Sequence, residues 1–242
     1  MPFFYFFIDY PYLLFVLPAV IFSLIASIMV DTTFEKYQKQ LSSRRITGAE
    51  AARRVLDSNG LHHVGIRMVS GKLSDHYDPK DQTVYLSQAV HDSVSTAAIG
   101  VATHEAGHAI QHATGYLPLK VRTAIIPVTN IGSRLAIPLV LIGLLLDAFM
   151  QGPFGVVMAY VGVICFSLTA VFQLVTLPTE FNASSRAMSA LESGGILTGS
   201  ELYGARKVLT AAAMTYVAAL AVSLGQLLRI LLLVSGSSRR RD

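Results

Sequence analysis

The sequence has no tryptophan, one cysteine and few charged residues, and each shortage removes a class of protein. A single thiol, Cys165, cannot close an internal disulfide, which excludes a disulfide-stapled scaffold; it lies in an apolar run and reads as a packing residue. Charged residues make up 14% of the chain and hydrophobic residues 52%, with a mean hydropathy of +0.53. Soluble domains carry about a quarter charged residues, so a bilayer is the expected place for this much apolar surface. Without tryptophan, the interfacial aromatic belt falls to the 10 tyrosines and 12 phenylalanines, many of them within the first 22 residues. The excess of basic residues is only +4 and is scattered apart from Arg44-Arg45, Arg53-Arg54 and Arg239-Arg240-Arg241, a pattern that sets orientation in a membrane and excludes a nucleic-acid partner. The amino terminus has neither the basic region nor the cleavage site of a secretory signal, so its apolar stretch is expected to remain as an anchor.

What is present divides the chain into five stretches. Residues 1–30 read as an N-terminal membrane anchor, with a span at 12–30 and Pro18 a possible kink site. Residues 31–130 read as a membrane-proximal module. In it Thr47 and Glu50 form a capping-box pattern for a helix over 49–56, and 65–73 and Thr83–Ser87 read as strands joined by a polar turn through Asp78-Pro79-Lys80-Asp81. Residues 131–178 hold apolar runs at 135–150 and 154–177 whose short connection predicts a helical hairpin. Residues 179–207 are polar, and 208–242 combine a last apolar helix with a basic tail. The fold class expected is mainly α: multi-pass transmembrane helices, a zincin-like His-Glu-x-x-His helix within 93–113, and a small β-hairpin. Twelve lysines and arginines fall in 31–134 and three in 178–207, which by the positive-inside rule places both segments in the cytoplasm. A fourth full span would then put the basic tail outside, against that rule.

The chemistry centres on His104-Glu105-Ala106-Gly107-His108. Two histidines four apart on a helix share a face, close enough for both imidazoles to reach one zinc ion at roughly 2.0–2.1 Å. Zinc lowers the pKa of a bound water towards about 7, and Glu105 is placed to take its proton as a general base. A third ligand is needed. His112 continues the same face, but its Cα lies about 12 Å along the axis from that of His104, which argues for a supporting or cleft role instead. Glu180 fits better, because it stands where the apolar hairpin returns to the side from which it left; Glu192 and Glu201 lie farther into the polar stretch.

Three segments in order, HEAGHAIQH, an upstream SDHYDP and a downstream QLVTLPTEFNASSRA, closely resemble the YugP-like neutral zinc metallopeptidases, bacterial multi-pass membrane proteins. The resemblance covers nearly the whole chain. It implies a membrane zinc peptidase, with ligand roles for His104, His108 and Glu180 and the base role for Glu105. A looser similarity extends to the CAAX prenyl proteases and heat-shock membrane proteases, whose glutamate ligand begins a Glu-x-x-x-Asp pattern. Ser184 stands here in place of that aspartate. This leaves Asp75, Asp78 and Asn182 as candidates to orient a ligand imidazole.

His76 or Tyr77 can donate a hydrogen bond to a tetrahedral oxyanion, although Asp78-Pro79 is equally ordinary turn chemistry. The Thr83–Ser87 strand, close before the metal-bearing helix, is expected to offer a free edge to an extended peptide. These features predict an integral-membrane zinc endopeptidase acting on protein or peptide substrates at the membrane surface, the alternative being a scaffold that zinc merely braces.

Overall fold

A computed structural model describes residues 9–150 and 153–238. The aromatic-rich residues 1–8, the hairpin connection 151–152 and the basic tail 239–242 lie outside the described residues. In chain order, a π-helical turn (Tyr12–Val16) runs into α1 (Leu17–Gln38), followed by α2 (Gly48–Ser58), β1 (Gly65–Val69), β2 (His76–Asp78), β3 (Thr83–Ser87) and α3 (Gln88–His91). The chain then forms α4 (Thr96–Ala113), α5 (Leu117–Met150), α6 (Pro153–Ser193) and α7 (Ser200–Ser238). It divides into two compact units, one built from residues 26–120 and 177–214, the other from the remaining described residues.

In the first unit, α2 starts where the sequence expects. The Thr47 hydroxyl accepts from the Glu50 amide at 3.1 Å and the Glu50 carboxylate accepts from the Thr47 amide at 2.8 Å, satisfying two amides that a helix start leaves open. The helix buries Ala51, Ala52, Val55 and Leu56, which join Ala98, Ile99, Ala102 and Ala106 of α4 in one core with Val84 and Leu86 of β3. Each fully buried leucine or isoleucine in such a core contributes about 1.5–3 kcal/mol.

The sheet differs from the expected hairpin of 65–73 with 83–87. Its order is β1-β3-β2, with β3 parallel to β1 (Ile66↔Val84, Met68↔Leu86) and antiparallel to β2 (Tyr77↔Val84). The segment between β1 and β2 turns through Gly71 (φ 109°) and Leu73 (φ 55°), carrying the chain back to start β2. The Asp78–Asp81 turn does close a hairpin, but its first arm is His76–Asp78, too short and too polar to show an alternating pattern. Because β3 pairs on both sides, it has no free edge, and the expectation that it binds an extended peptide by its edge is wrong.

In the second unit, the hairpin appears as antiparallel packing of α5 on α6 through small residues. Gly132 faces Cys165, Gly143 faces Gly155, and Gly162 faces Ala136. A Cβ on Gly143 would stand 2.7 Å from the Gly155 carbonyl oxygen, and one on Gly162 would stand 2.8 Å from that of Ala136. Small residues let the backbones meet, as helix pairs in lipid require. Helix α5 begins well before the expected start at residue 135 and passes through Pro127 and Pro138. Neighbouring helices in a membrane can re-satisfy the backbone groups that an internal proline frees. Arg229 donates to the Asp9 carboxylate at 3.0 Å, giving a buried guanidinium an ionic partner.

Among the described residues, four helices, Tyr12–Gln38, Leu117–Met150, Pro153–Ser193 and Ser200–Gly236, are long and apolar enough to cross a membrane by length and composition. The first and third run on as helix through polar sequence, α1 over residues 31–38 and α6 over 178–193.

Candidate metal centre

The centre is assembled wholly within the first unit, from α4 and the carboxyl-terminal part of α6. Ser95 starts α4 by accepting from the Ala98 amide at 3.2 Å. The helix then carries His104, Glu105 and His108, the two histidines one turn apart. Gly107 brings α6 close: a Cβ there would lie 2.6 Å from the Ala183 carbonyl oxygen. Glu180 and Ser184 flank Ala183 on α6, and the close approach delivers both to His104.

One Glu180 oxygen lies 3.3 Å from His104 Nε2 and 3.5 Å from His108 Nε2, and the three side chains place one ligand atom each within 4.8 Å of one another. Donors around one tetrahedral zinc at 2.0–2.2 Å stand about 3.4 Å apart, so the two histidine-to-glutamate spacings already match a zinc site. Two imidazoles and one carboxylate are also the donor set of a zinc centre that keeps a fourth position open. Glu180 is 3% exposed, and the two imidazole rings meet edge to face at 4.8 Å between centroids.

Other hydrogen bonds fix the rings from behind. Ser184 Oγ lies 3.1 Å from His104 Nδ1, and Gln111 Oε1 lies 3.0 Å from His108 Nδ1. Burial opposes charge on His108, but the Glu180 hydrogen bond and the charges of Glu105 and Glu180 outweigh it and raise its pKa above the ordinary histidine value. Glu105 is buried on the same helix.

The remaining expected residues are distributed as follows. Asn182 does not touch an imidazole; its Oδ1 contacts Gln111 Nε2 at 3.0 Å. Asp75 accepts from the amide and hydroxyl of Ser87 at 2.7 and 3.2 Å, ending β3, and Asp78 accepts from the Lys80 amide inside the turn. Neither aspartate orients a ligand ring; both serve the backbone of the sheet. His76 stacks on its cross-strand partner Tyr85 at 4.9 Å, with Nδ1 on the Ser74 carbonyl. Tyr77 packs against the core and shares a 2.9 Å hydrogen bond with His112 Nδ1. Burial, then the charges of Asp78 and Asp81, raise the Tyr77 pKa, so its hydroxyl stays neutral.

Gln111 is the residue that sequence reasoning missed. Its signal was its place three residues after His108, on the same helix face, where i,i+3 side chains meet.

The chain matches the family model described as "Putative neutral zinc metallopeptidase" over residues 12–235. It is similar to the "Putative membrane protease YugP" of Bacillus subtilis (strain 168), with 47% identity over 208 residues, covering 86% of this chain and 89% of that protein. No solved structure matches it significantly.

Proposed function

This chain belongs to the neutral zinc metallopeptidase family, and from that premise we propose that it is an integral-membrane, zinc-dependent endopeptidase that hydrolyses peptide bonds at the membrane surface. The observation that carries this reading is the convergence of His104, His108 and Glu180, which come from two helices and offer one ligand atom each. These three residues would hold the metal. Zinc supplies a Lewis acid that polarises the scissile carbonyl and acidifies the attacking water.

Glu105 is the general base: it takes a proton from the attacking water and returns it to the leaving amine. The Tyr77 hydroxyl, whose oxygen accepts from His112 Nδ1–H in this reading, is the donor we assign to the oxyanion that develops on the carbonyl oxygen. The substrates are proteins or peptides, and the lysine and arginine distribution puts the centre on the cytoplasmic side.

The test compares purified parent protein with single variants for zinc content and casein cleavage. Glu105→Gln is expected to keep zinc and lose cleavage by 100-fold or more, on the order of a lost general base. Glu180→Ala is expected to lose zinc as well, and His112→Ala to keep it. A parent that binds zinc yet cleaves no peptide would turn the reading towards a zinc-braced scaffold. Tight zinc binding by Glu180→Ala would refute the ligand set.

A further inference from the structure

We propose that Gln111, Asn182 and Arg186 form a hydrogen-bonded chain that fixes which nitrogen of His108 carries the proton, making them positioning residues for the metal centre; this rests on the zinc reading of that centre. The two fixed points of the chain have no choice of role. The Thr179 carbonyl oxygen can only accept, and it lies 2.7 Å from Gln111 Nε2. The Arg186 Nε–H can only donate, and it lies 2.8 Å from Asn182 Oδ1.

The remaining assignments follow in order. Arg186 obliges Asn182 to present its oxygen and not its amide nitrogen. That same oxygen stands 3.0 Å from Gln111 Nε2, so the two protons of the Gln111 amide meet two acceptors, Asn182 and Thr179. Gln111 is thereby held with its oxygen towards His108 Nδ1, 3.0 Å away. An amide oxygen only accepts, so Gln111 holds a hydrogen on Nδ1 and leaves Nε2, which otherwise donates to Glu180, free to give its lone pair to a metal placed between them.

Gln111 is fully buried, so it cannot turn to water for other partners. Arg186 is steadied in turn by the Tyr116 ring, 5.9 Å from its guanidinium carbon. His104 is held differently. Its Nδ1 faces the Ser184 hydroxyl, which can donate or accept and imposes no tautomer. The structure thus assigns one ligand ring a fixed proton position and leaves the other adjustable.

Two measurements test this, and neither depends on peptide cleavage. The first is histidine 15N NMR of the metal-free Glu180→Ala protein, which lacks the competing acceptor at His108 Nε2, at a pH where His108 is neutral. It is expected to show Nδ1–H while Gln111 is intact and a shift towards Nε2–H when Gln111→Leu is added. A bare Nδ1 with Gln111 intact in that background would overturn the proposal, even if the protein never bound zinc.

The second is zinc affinity, measured by competition with a chromophoric chelator, for Gln111→Leu, Arg186→Ala and the double variant, each checked for a native melting transition. Losing such support for a ligand histidine weakens metal affinity by about 10–100-fold, which is the loss expected for Gln111→Leu. Arg186→Ala is expected to lose less. In the Gln111→Leu background it should add nothing, because its effect travels through Gln111. Additive losses, or unchanged affinity in a folded Gln111→Leu protein, would overturn the proposal. Normal zinc binding and tautomer with no peptide cleavage would sink the peptidase reading and leave this one standing.

Discussion

Gly107 and Ala183 meet backbone to backbone: a Cβ added to Gly107 would stand 2.6 Å from the Ala183 carbonyl oxygen and 3.3 Å from its Cα. That contact sets the spacing between the helix bearing both histidines and the helix bearing Glu180. Gly107→Ala must push the helices apart, because the obstructing atoms are backbone and cannot rotate away. The expected cost is about 1–3 kcal/mol of stability, as for overpacking elsewhere. Zinc affinity should fall with it, since Glu180 moves with Ala183. Thermal melting and chelator competition on the same preparation check both. A variant with parent stability and parent affinity would show that the two helices slide freely.

Ser184 offers a second lever on the same site. Its hydroxyl is the group on His104 Nδ1, at 3.1 Å. Ser184→Ala is expected to weaken zinc about 10-fold, at the low end for lost support of a ligand histidine. Ser184→Asp should instead bind zinc more tightly than the parent, because an ionised carboxylate only accepts and raises the basicity of the ring. Isothermal titration of the metal-free proteins with zinc would reveal the order. Equal affinity of all three would mean that His104 needs no partner behind it.

Topology is open to direct test through Cys165, the single native thiol. In a Cys165→Ser background, cysteines placed at Ser43 or Ser185 are expected to resist an impermeant thiol reagent applied to intact cells and to react after lysis. The basis is the lysine and arginine balance, from which the positive-inside rule predicts both positions in the cytoplasm. Rapid labelling of both in intact cells would invert the orientation and place the metal centre outside.

The sheet and the metal centre show where sequence reasoning reached its limit. The turn at Asp78–Asp81 was legible from its residues, but the partner of β3 was misassigned. Three residues, His76–Asp78, carry no periodicity to announce a strand. The parallel pairing of β1 with β3 joins segments whose contact depends on the path of the chain between them. At the centre, the two histidines could be placed on one face from spacing alone, and the apolar hairpin gave a reason for Glu180 to return to them. The groups behind the rings were less accessible. Asp75 and Asp78 had suitable chemistry and were in the wrong place, whereas Gln111 and Ser184 were in reach.

By itself the sequence determined what depends on near neighbours in the chain: the apolar spans, the Thr47–Glu50 capping box, and the one-turn spacing of His104 and His108. Such features need only a few dihedral angles, and their energetics are local. Only the tertiary structure decided that β3 lies between two strands, that Gly107 admits Ala183, and that Gln111 reaches Thr179 and Asn182, 68 and 71 residues away in the chain. Those outcomes follow from close packing of whole helices, where each buried polar group takes whichever partner the packing leaves within hydrogen-bonding distance.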